Sequence, residues 1–403
     1  MSSKSAAVSL SDVLGLSRLI FEAADGVTGI VEQMHSSVLD TPGLPPPTRG
    51  VRGVTRLVYR GVRGAFRVTG KGIGGAAALI DAKPDDRPTS RGREVALAAL
   101  NGVIGDHLAA TGNPLAIPMR FRHDGRPLKL DRATLAEAFP NATRKLAVLV
   151  HGLCVSDLQW RRQNHDHGAT LAHELGYTPV YLSYNSGLHI SVNGRAFGGA
   201  LEALVAGWPV EIDEFVFGHS MGGLVARSAC RYGEEAGHHW RQKLSKLVFL
   251  GTPHHGAPLE RLGNWVDVML GKTPYAAAFA RLGQIRSAGV TDLRYGNLMD
   301  EDWQGRDRFA RAPDRRRPVP LPDGVACYAI AATTAASPGS LKDRLVGDGL
   351  VPVASALGRH EDRARSLEFP ADRQWVVYEA GHLDLLSRHD VCEQIARWLS
   401  PSR

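Results

Sequence analysis

The first part of the chain carries apolar side chains at helical spacing. Residues 1–112 repeat them every three to four positions, which predicts helices. Four prolines in residues 41–50 interrupt this pattern. Two further helical patterns follow, at about 51–80 and 91–111. We therefore predict a separate helical N-terminal region of unknown role over residues 1–112.

The pattern changes over residues 113–403. A hairpin is predicted around Asp124 and Gly125, and apolar strands then alternate with helices. The predicted strands are 145–152, 178–184, 212–220, 245–256, 325–333 and 373–382, and the predicted helices are 166–176, 191–206, 221–236 and 388–399. This alternation predicts an α/β fold with a mostly parallel central sheet, whose functional sites lie at the carboxyl ends of the strands.

An insertion at about 257–322 interrupts the alternation. Its apolar part, 263–282, fits a mobile lid over a functional site, and it fits an ordinary packed helix pair equally well. Its basic part, 306–318, fits a solvated loop better than a surface that steers anionic substrates.

A basic arc marks residues 51–80. Six cations fall on one side of a helix there: Arg52, Arg56, Arg60, Arg63, Arg67 and Lys71. One interpretation is an amphipathic helix on an anionic lipid surface. The other is a helix packed on the protein, because the seven glycines in this segment weaken an isolated helix and favour close helix–helix packing. Both interpretations stay open.

Composition limits the kinds of partner and the location that we expect for the protein. The 403 residues carry a net charge of +7 and are 43% hydrophobic, which permits anionic partners and is also common in soluble enzymes. The four cysteines are far apart without a CxxC spacing, so we expect free thiols, no metal site and no cofactor. No secretory signal or membrane-spanning stretch precedes the fold, so a cytoplasmic location is predicted. No nucleic-acid motif accompanies the charge.

The segment "FVFGHSMGGL", residues 215–224, gives the clearest indication of a catalytic residue. It has the form G-x-S-x-G between a predicted strand and a predicted helix. A serine on such a turn projects above the sheet, and its neighbours two positions away must be small. Ser220 is therefore the predicted nucleophile, and the helix that begins after it would favour a developing oxyanion.

A nucleophilic serine needs a base and an orienting acid, each after a later strand. Asp348, in a Gly-Asp-Gly turn, and His382, directly after the last strand, meet both conditions. Weaker candidates for the acid are Asp343, Asp384, Asp292, Asp300 and Asp302.

Backbone donors for the oxyanion are expected at two strand ends. The N–H groups of Leu153 and Met221 are the candidates. His151 would organise the loop before Leu153 or would simply be packed there; we assign it no proton transfer.

Five motifs in order, "LVHGL", "GHSMGG", "GTPHHGAP", "GDGLVPVASAL" and "GHLDLL", resemble the α/β-hydrolase superfamily over residues 115–400. Within it they look like the bacterial triacylglycerol lipases and the related GPI-lipid deacylases. The resemblance implies a serine ester hydrolase with Ser220, Asp348 and His382 as triad and Leu153 and Met221 as oxyanion donors. Some lipases of this group bind calcium through an aspartate at the position of Asp384; their second calcium aspartate has no match here.

Three functions are weighed. The leading one is a lipase or carboxylesterase that acts on an ester or lipid substrate. The same apparatus also serves acyltransferases, thioesterases, amidases and polyester depolymerases. The third is a non-catalytic protein of a membrane or granule surface, motivated by residues 51–80. The oligomeric state is not predicted.

Overall fold

The computed structural model describes residues 91–212, 214–257, 286–310, 313–337 and 346–400. Contacts divide the chain into two units. One comprises residues 87–109 and 116–403; the other comprises 1–86 and 110–115, of which only 110–115 are described. The predicted helices before residue 91, the basic arc and the apolar segment 263–282 lie outside the described residues, as does Asp343. The domain boundary at residue 112 stays a prediction.

Eight strands form one mixed sheet. In chain order they are β1 (Arg120–His123), β2 (Arg126–Pro127), β3 (Lys145–Val150), β4 (Thr178–Ser183), β5 (Glu214–His219), β6 (Lys246–Leu250), β7 (Ala326–Ala332) and β8 (Gln374–Val377). The spatial order is β2-β1-β4-β3-β5-β6-β7-β8. The β1–β2 and β1–β4 pairs are antiparallel, and every other pair is parallel. The predicted mostly parallel sheet is confirmed.

The antiparallel edge begins with the predicted hairpin. Asp124 has φ 48° and Gly125 has φ 73°, so both central residues are left-handed, as a type I′ turn requires. Phe121, in the middle of β1, is buried. The Asp-Gly pair in the sequence therefore placed this turn correctly.

Nine helices are described. They are α1 (Arg91–Ala110), α2 (Arg132–Ala138), α3 (His167–Leu175), α4 (Ile190–Gly207), α5 (Met221–Glu235), α6 (Trp240–Lys243), α7 (Ala288–Asp292), α8 (Val353–Ala356) and α9 (His389–Leu399). Short 3₁₀ turns lie at Asp157–Trp160, Asp300–Asp302, Arg363–Arg365, Ala371–Arg373 and His382–Leu386. None of the described helices combines the length and apolar character that crossing a membrane requires.

Two groups of helices pack on the sheet. Helix α5 packs on β5 and on α4, whereas α3 packs on β4 and on α9. The α4–α5 contact is close because Gly194 faces Ser228: a Cβ on Gly194 would lie 2.2 Å from the Ser228 Oγ. Both helices begin within one residue of their predicted starts.

Strand β8 is shorter than predicted. It ends at Val377, whereas the apolar pattern extends to about residue 382. After Val377 the backbone turns through Glu379 at φ 51°, and the N–H of Ala380 donates to the Thr333 carbonyl at 3.0 Å. The four residues 378–381 thus form a loop that returns toward the end of β7, and His382 begins a 3₁₀ turn.

The basic segment 306–318 is only partly solvated. Arg316 is buried, with its guanidinium on Asp314 at 3.0 Å and on the His254 carbonyl at 2.9 Å. Arg308 pairs with Asp106 at 2.5 Å. These two cations therefore anchor the segment to the fold, contrary to the interpretation as a purely solvated loop.

Candidate active site

The turn at Ser220 joins β5 to α5. Its backbone has φ 57° and ψ −128°, a conformation that side-chain-bearing residues rarely adopt and that costs about 1–3 kcal/mol. The Ser220 N–H donates to the Leu250 carbonyl at 2.8 Å, and its carbonyl accepts from the Gly223 N–H at 3.1 Å. Strand β6 and the first turn of α5 therefore hold the strained residue in place.

The two glycines of G-x-S-x-G are needed for space. A Cβ on Gly218 would lie 2.5 Å from the Gly223 Cα, and one on Gly222 would lie 2.4 Å from the Val150 carbonyl oxygen. Both contacts are with backbone, which cannot move aside as a side chain can. The turn brings α5 against β3 and β5 at a separation that only glycine permits.

The hydroxyl of Ser220 is buried. The residue has no exposed surface, and among the described residues its Oγ has no hydrogen-bond partner. A buried polar group without a partner costs about 1–3 kcal/mol. Strain and an unpaired hydroxyl at one residue both act against stability, and such costs cluster at functional sites.

Asp348 lies in a tight turn beyond β7. Gly347 and Gly349 flank it with φ 57° and φ 97°. One carboxylate oxygen, Oδ1, accepts from the N–H groups of Leu350 at 2.9 Å and Val351 at 2.7 Å. These bonds orient the other oxygen, Oδ2, away from the turn.

His382 meets that second oxygen. Its Nδ1 lies 2.6 Å from Asp348 Oδ2, and both side chains are fully buried. The His382 N–H also donates to the Asp348 carbonyl at 3.1 Å. Because an ionised carboxylate only accepts, the Nδ1 of His382 carries the proton and donates it. The structure thus brings together the acid and the histidine predicted from strand order.

The other candidate acids have different partners. Asp384 Oδ2 accepts from the Gly381 N–H at 2.8 Å, and Asp292 Oδ2 lies 3.0 Å from His189 Nδ1. Asp300 pairs with Arg195, while Asp302 accepts from backbone N–H groups. None of these four carboxylates makes a described hydrogen bond to His382.

Asp384 belongs to no group of three or more potential metal-binding side chains among the described residues. Its carboxylate caps its own 3₁₀ turn, and within the described ranges the one close group of potential metal ligands is His165, His167 and Cys392. Calcium needs six or more oxygen ligands. Among the described residues, no group of three or more carboxylates includes Asp384.

Gly251 contributes a contact that the sequence analysis missed. It follows β6 with φ 57°, and a Cβ there would lie 3.1 Å from the His382 Cε1 and 2.9 Å from the Leu385 Cδ1. Its N–H donates to the Ile330 carbonyl at 2.8 Å. The imidazole of His382 therefore rests against bare backbone. The glycine that opens "GTPHHG" directly after a strand was the available signal.

His219 also packs on His382. The two ring centres are 4.9 Å apart, and the His219 Nε2 lies 3.4 Å from the His382 carbonyl oxygen, to which it donates. Burial, followed by the nearby His382, holds the pKa of His219 well below its usual value. His219 is thus neutral and places no second positive charge beside His382.

The loop after β3 approaches the serine. A Cβ on Gly152 would lie 2.9 Å from the Ser220 Cβ and 3.3 Å from its Oγ. Leu153 and Met221 are buried beside it. The Met221 N–H is the first of α5 and has no acceptor inside the helix. Backbone at both predicted oxyanion positions thus lies next to Ser220.

His151 organises this loop. Its ring stacks on Tyr184 with centres 4.3 Å apart, and its Nδ1 donates to the Gly152 carbonyl at 2.9 Å. The Tyr184 hydroxyl in turn donates to the His151 carbonyl at 2.8 Å. Burial lowers the pKa of His151 to about 4, so the ring is neutral and structural.

Comparison with known proteins agrees with this architecture. Residues 210–314, which include the Ser220 turn, match the family model described as the PGAP1-like alpha/beta domain. Over these residues the chain is similar to that family. The mixed sheet and its helices confirm the predicted fold class. The PGAP1-like match begins just before β5 and ends before β7. It therefore includes Ser220 and leaves Asp348 and His382 outside.

The solved structures that are similar to this chain are distant in sequence. The mature Bacillus licheniformis lipase BlEst2 is 20% identical with a TM-score of 0.40, over 63% of this chain and 91% of that chain. The Listeria innocua lin2722 product is 15% identical with a TM-score of 0.36, over 65% and 96%. Legionella pneumophila phospholipase PlaB is 19% identical with a TM-score of 0.32, over 53% and 44%. A search of curated proteins finds no significant match. At such distances these neighbours carry no inference about substrate.

Proposed function

We propose that this protein is a serine hydrolase that cleaves carboxylic esters through an acyl-enzyme on Ser220. One observation carries the proposal: a strained, buried serine with an unpaired hydroxyl shares a sheet edge with a fully buried Asp348–His382 pair. A turn serine without catalytic function would have no reason to keep the strain.

Proton transfer in this proposal follows from the hydrogen bonds of the pair. Asp348 holds the Nδ1–H of His382, so the Nε2 is the nitrogen that takes the Ser220 proton. Asp348 also stabilises the imidazolium that forms. Since Oδ1 accepts from two backbone N–H groups, the carboxylate is held with Oδ2 toward His382.

The bonds then change in two steps. Ser220 Oγ attacks the ester carbonyl, and the N–H groups of Leu153 and Met221 stabilise the oxyanion. His382 returns its proton to the leaving alcohol, which leaves the acyl group on Ser220. Water attacks this acyl-enzyme with His382 again as base, and the carboxylic acid is released.

We propose lipid esters as the substrate class. The apolar insertion residues 263–282 and the motif resemblance to lipases support this choice, and acyl length and head group are left to measurement. Transfer to an alcohol uses the same acyl-enzyme and is the alternative outcome.

The decisive experiment is labelling with a fluorophosphonate probe, which reacts with activated serines. Wild type should be labelled at Ser220, and Ser220→Ala should not. A chain-length series of chromogenic esters then gives the acyl preference, and product analysis with a competing alcohol separates hydrolysis from transfer. Full ester turnover by Ser220→Ala contradicts the proposal.

We also propose a cytoplasmic location with peripheral association to anionic lipid through residues 51–80. The arc of six cations supports it. Full-length protein should co-sediment with anionic vesicles at low salt, and a variant with Arg56, Arg60 and Arg63 changed to Gln should do so less. Equal sedimentation of both proteins contradicts the proposal.

A further inference from the structure

We propose that His165, His167 and Cys392 bind one zinc ion, with His389 as the fourth ligand, at a site formed by residues other than Ser220, Asp348 and His382. The proposal rests on side-chain geometry and does not depend on the esterase function.

The three side chains already form a close cluster. One ligand atom from each of His165, His167 and Cys392 lies within 4.8 Å of the other two, and all three residues are buried. His165 Nε2 and His167 Nδ1 are 2.8 Å apart. Tetrahedral zinc with ordinary bond lengths needs roughly 3.3 Å between nitrogens and roughly 3.6 Å between nitrogen and sulfur. Shifts well below 1 Å would bring the nitrogens to that spacing.

A backbone carbonyl orients His167. Its Nε2 lies 2.8 Å from the Leu385 carbonyl oxygen and donates to it. Hence the Nδ1 carries the lone pair and faces His165. Metal-bound histidines typically donate their second nitrogen to a carbonyl or carboxylate in this way.

The backbone around the two histidines is fixed. Arg162 and His165 exchange two hydrogen bonds at 2.9 Å across a turn. Asp166 then caps α3 by accepting from the Gly168 N–H at 2.8 Å. His165 and His167 thus lie on either side of a capped helix start. Metal binding would require little further ordering of the backbone there.

His389 completes the set from α9. It precedes Cys392 by three residues, so the two side chains share a helix face. Its ring centre is 4.8 Å from that of His165. His389 is exposed whereas the other three are buried, so the metal would enter from this side.

The donor set selects zinc. Imidazole nitrogens with one thiolate suit Zn²⁺ and not the hard cations Ca²⁺ and Mg²⁺. Binding would displace the thiol proton of Cys392 and the proton shared between the two histidines, the latter moving to His165 Nδ1 or to solvent. Four protein ligands make a closed, structural site.

The zinc would stabilise the position of the segment that carries His382. It would join the start of α3 to α9, and the His167–Leu385 bond extends this link into the 3₁₀ turn His382–Leu386. We therefore expect a stabilising role for the metal and no part in bond cleavage.

The test measures metal content and cobalt spectra of the full chain. Protein purified with zinc and then dialysed should keep about one zinc per chain. Replacement by Co²⁺ should give a sulfur-to-cobalt charge-transfer band and the intense visible bands of tetrahedral coordination. Removal of the metal by a strong chelator should lower the Tm by several degrees.

Cys392→Ser and His165→Gln are the diagnostic variants. Each should lose more than about tenfold in zinc affinity, and Cys392→Ser should lose the sulfur-to-cobalt band. Cys230→Ser is the matched control, because Cys230 is also a buried thiol on a helix; it should bind zinc as wild type does.

Wild-type protein that holds less than a tenth of an equivalent of zinc and shows no charge-transfer band would overturn the proposal. So would a Cys392→Ser variant with unchanged zinc affinity. The wild-type cobalt titration stands by itself if a variant does not fold.

Discussion

The turn at Ser220 and the Asp348–His382 pair lie at the same edge of the sheet, but different forces hold them. Ser220 is held by backbone: a positive φ, two glycines with no room for a Cβ and a hydrogen bond to Leu250. The pair is held by polar contacts, a 2.6 Å side-chain bond and two backbone N–H donors to Asp348.

This difference predicts two kinds of sensitivity. The serine region should not tolerate an added atom, because its neighbours are backbone. The pair should tolerate changes that keep shape but not changes that alter charge or tautomer. Substitutions that add one methyl group, or exchange one oxygen for nitrogen, therefore separate the two regions.

The largest expected effect tests whether Ser220 is the nucleophile at all. Ser220→Ala should lower kcat for ester hydrolysis by about 10⁶-fold, as removal of a triad serine does. Steady-state kinetics with a chromogenic ester gives the value. Ser387→Ala is the control, since its buried Oγ also has no described hydrogen bond. A loss for Ser220→Ala no greater than that of the control would contradict the assignment.

The second-largest expected effect concerns the Asp348–His382 pair. Asp348→Asn keeps the shape but can stabilise the wrong His382 tautomer, and it should lower kcat by about 10⁴-fold. Asp384→Asn, which can still accept from the Gly381 N–H, should cost less than about tenfold. The two variants compared by kcat decide which carboxylate orients His382, and the reverse order would assign that role to Asp384.

A smaller effect comes from adding an atom beside Ser220. Gly152→Ala would place a Cβ 2.9 Å from the Ser220 Cβ, and displacement of the serine by about 1 Å should cost about 10²-fold in kcat. Gly199→Ala, on α4 with nothing within 4 Å, should leave kcat unchanged and stabilise the fold by about 1 kcal/mol. If Gly152→Ala has wild-type kcat, the loop is not packed on the serine.

The smallest expected effect is on the pH dependence of stability. The pKa of His151 falls from 6.5 to about 4 on burial, so the unfolded chain binds more protons between these values. The contribution of His151 to the free energy of unfolding is therefore fully present above pH 6.5 and is lost as the pH falls toward 4. His151→Asn keeps a donor for the Gly152 carbonyl but does not titrate.

Denaturant unfolding at pH 7 and pH 5 measures this contribution. Between them, wild type should lose about 2 kcal/mol more free energy of unfolding than His151→Asn. The other buried histidines titrate in both proteins and cancel in the comparison. Equal losses would show that His151 does not become buried in neutral form.

Motifs next to strands made the sheet edge predictable. In the sequence, Gly218 and Gly222 indicate close approach of the backbone around Ser220. The Gly-Asp-Gly sequence at Asp348 indicates a turn with positive φ. Gly251 gives a similar signal, yet its contact with the His382 ring was missed, because the partner is more than a hundred residues away.

The cluster of His165, His167 and Cys392 was not predictable, and the spacing of the cysteines favoured no metal site. Cys392 follows the two histidines by more than two hundred residues, and no local pattern connects an H-x-H sequence with an H-x-x-C sequence so far along the chain. Packing of α3 against α9 alone brings them together.

The sequence by itself determined the order of strands and helices, the hairpin at Asp124 and the strand ends at which polar residues collect, because apolar periodicity and glycine positions are local properties. Only the tertiary structure decided which carboxylate meets His382 and which side chains surround it. Those contacts depend on how parallel strands are ordered in the sheet, which brings distant segments within hydrogen-bond distance.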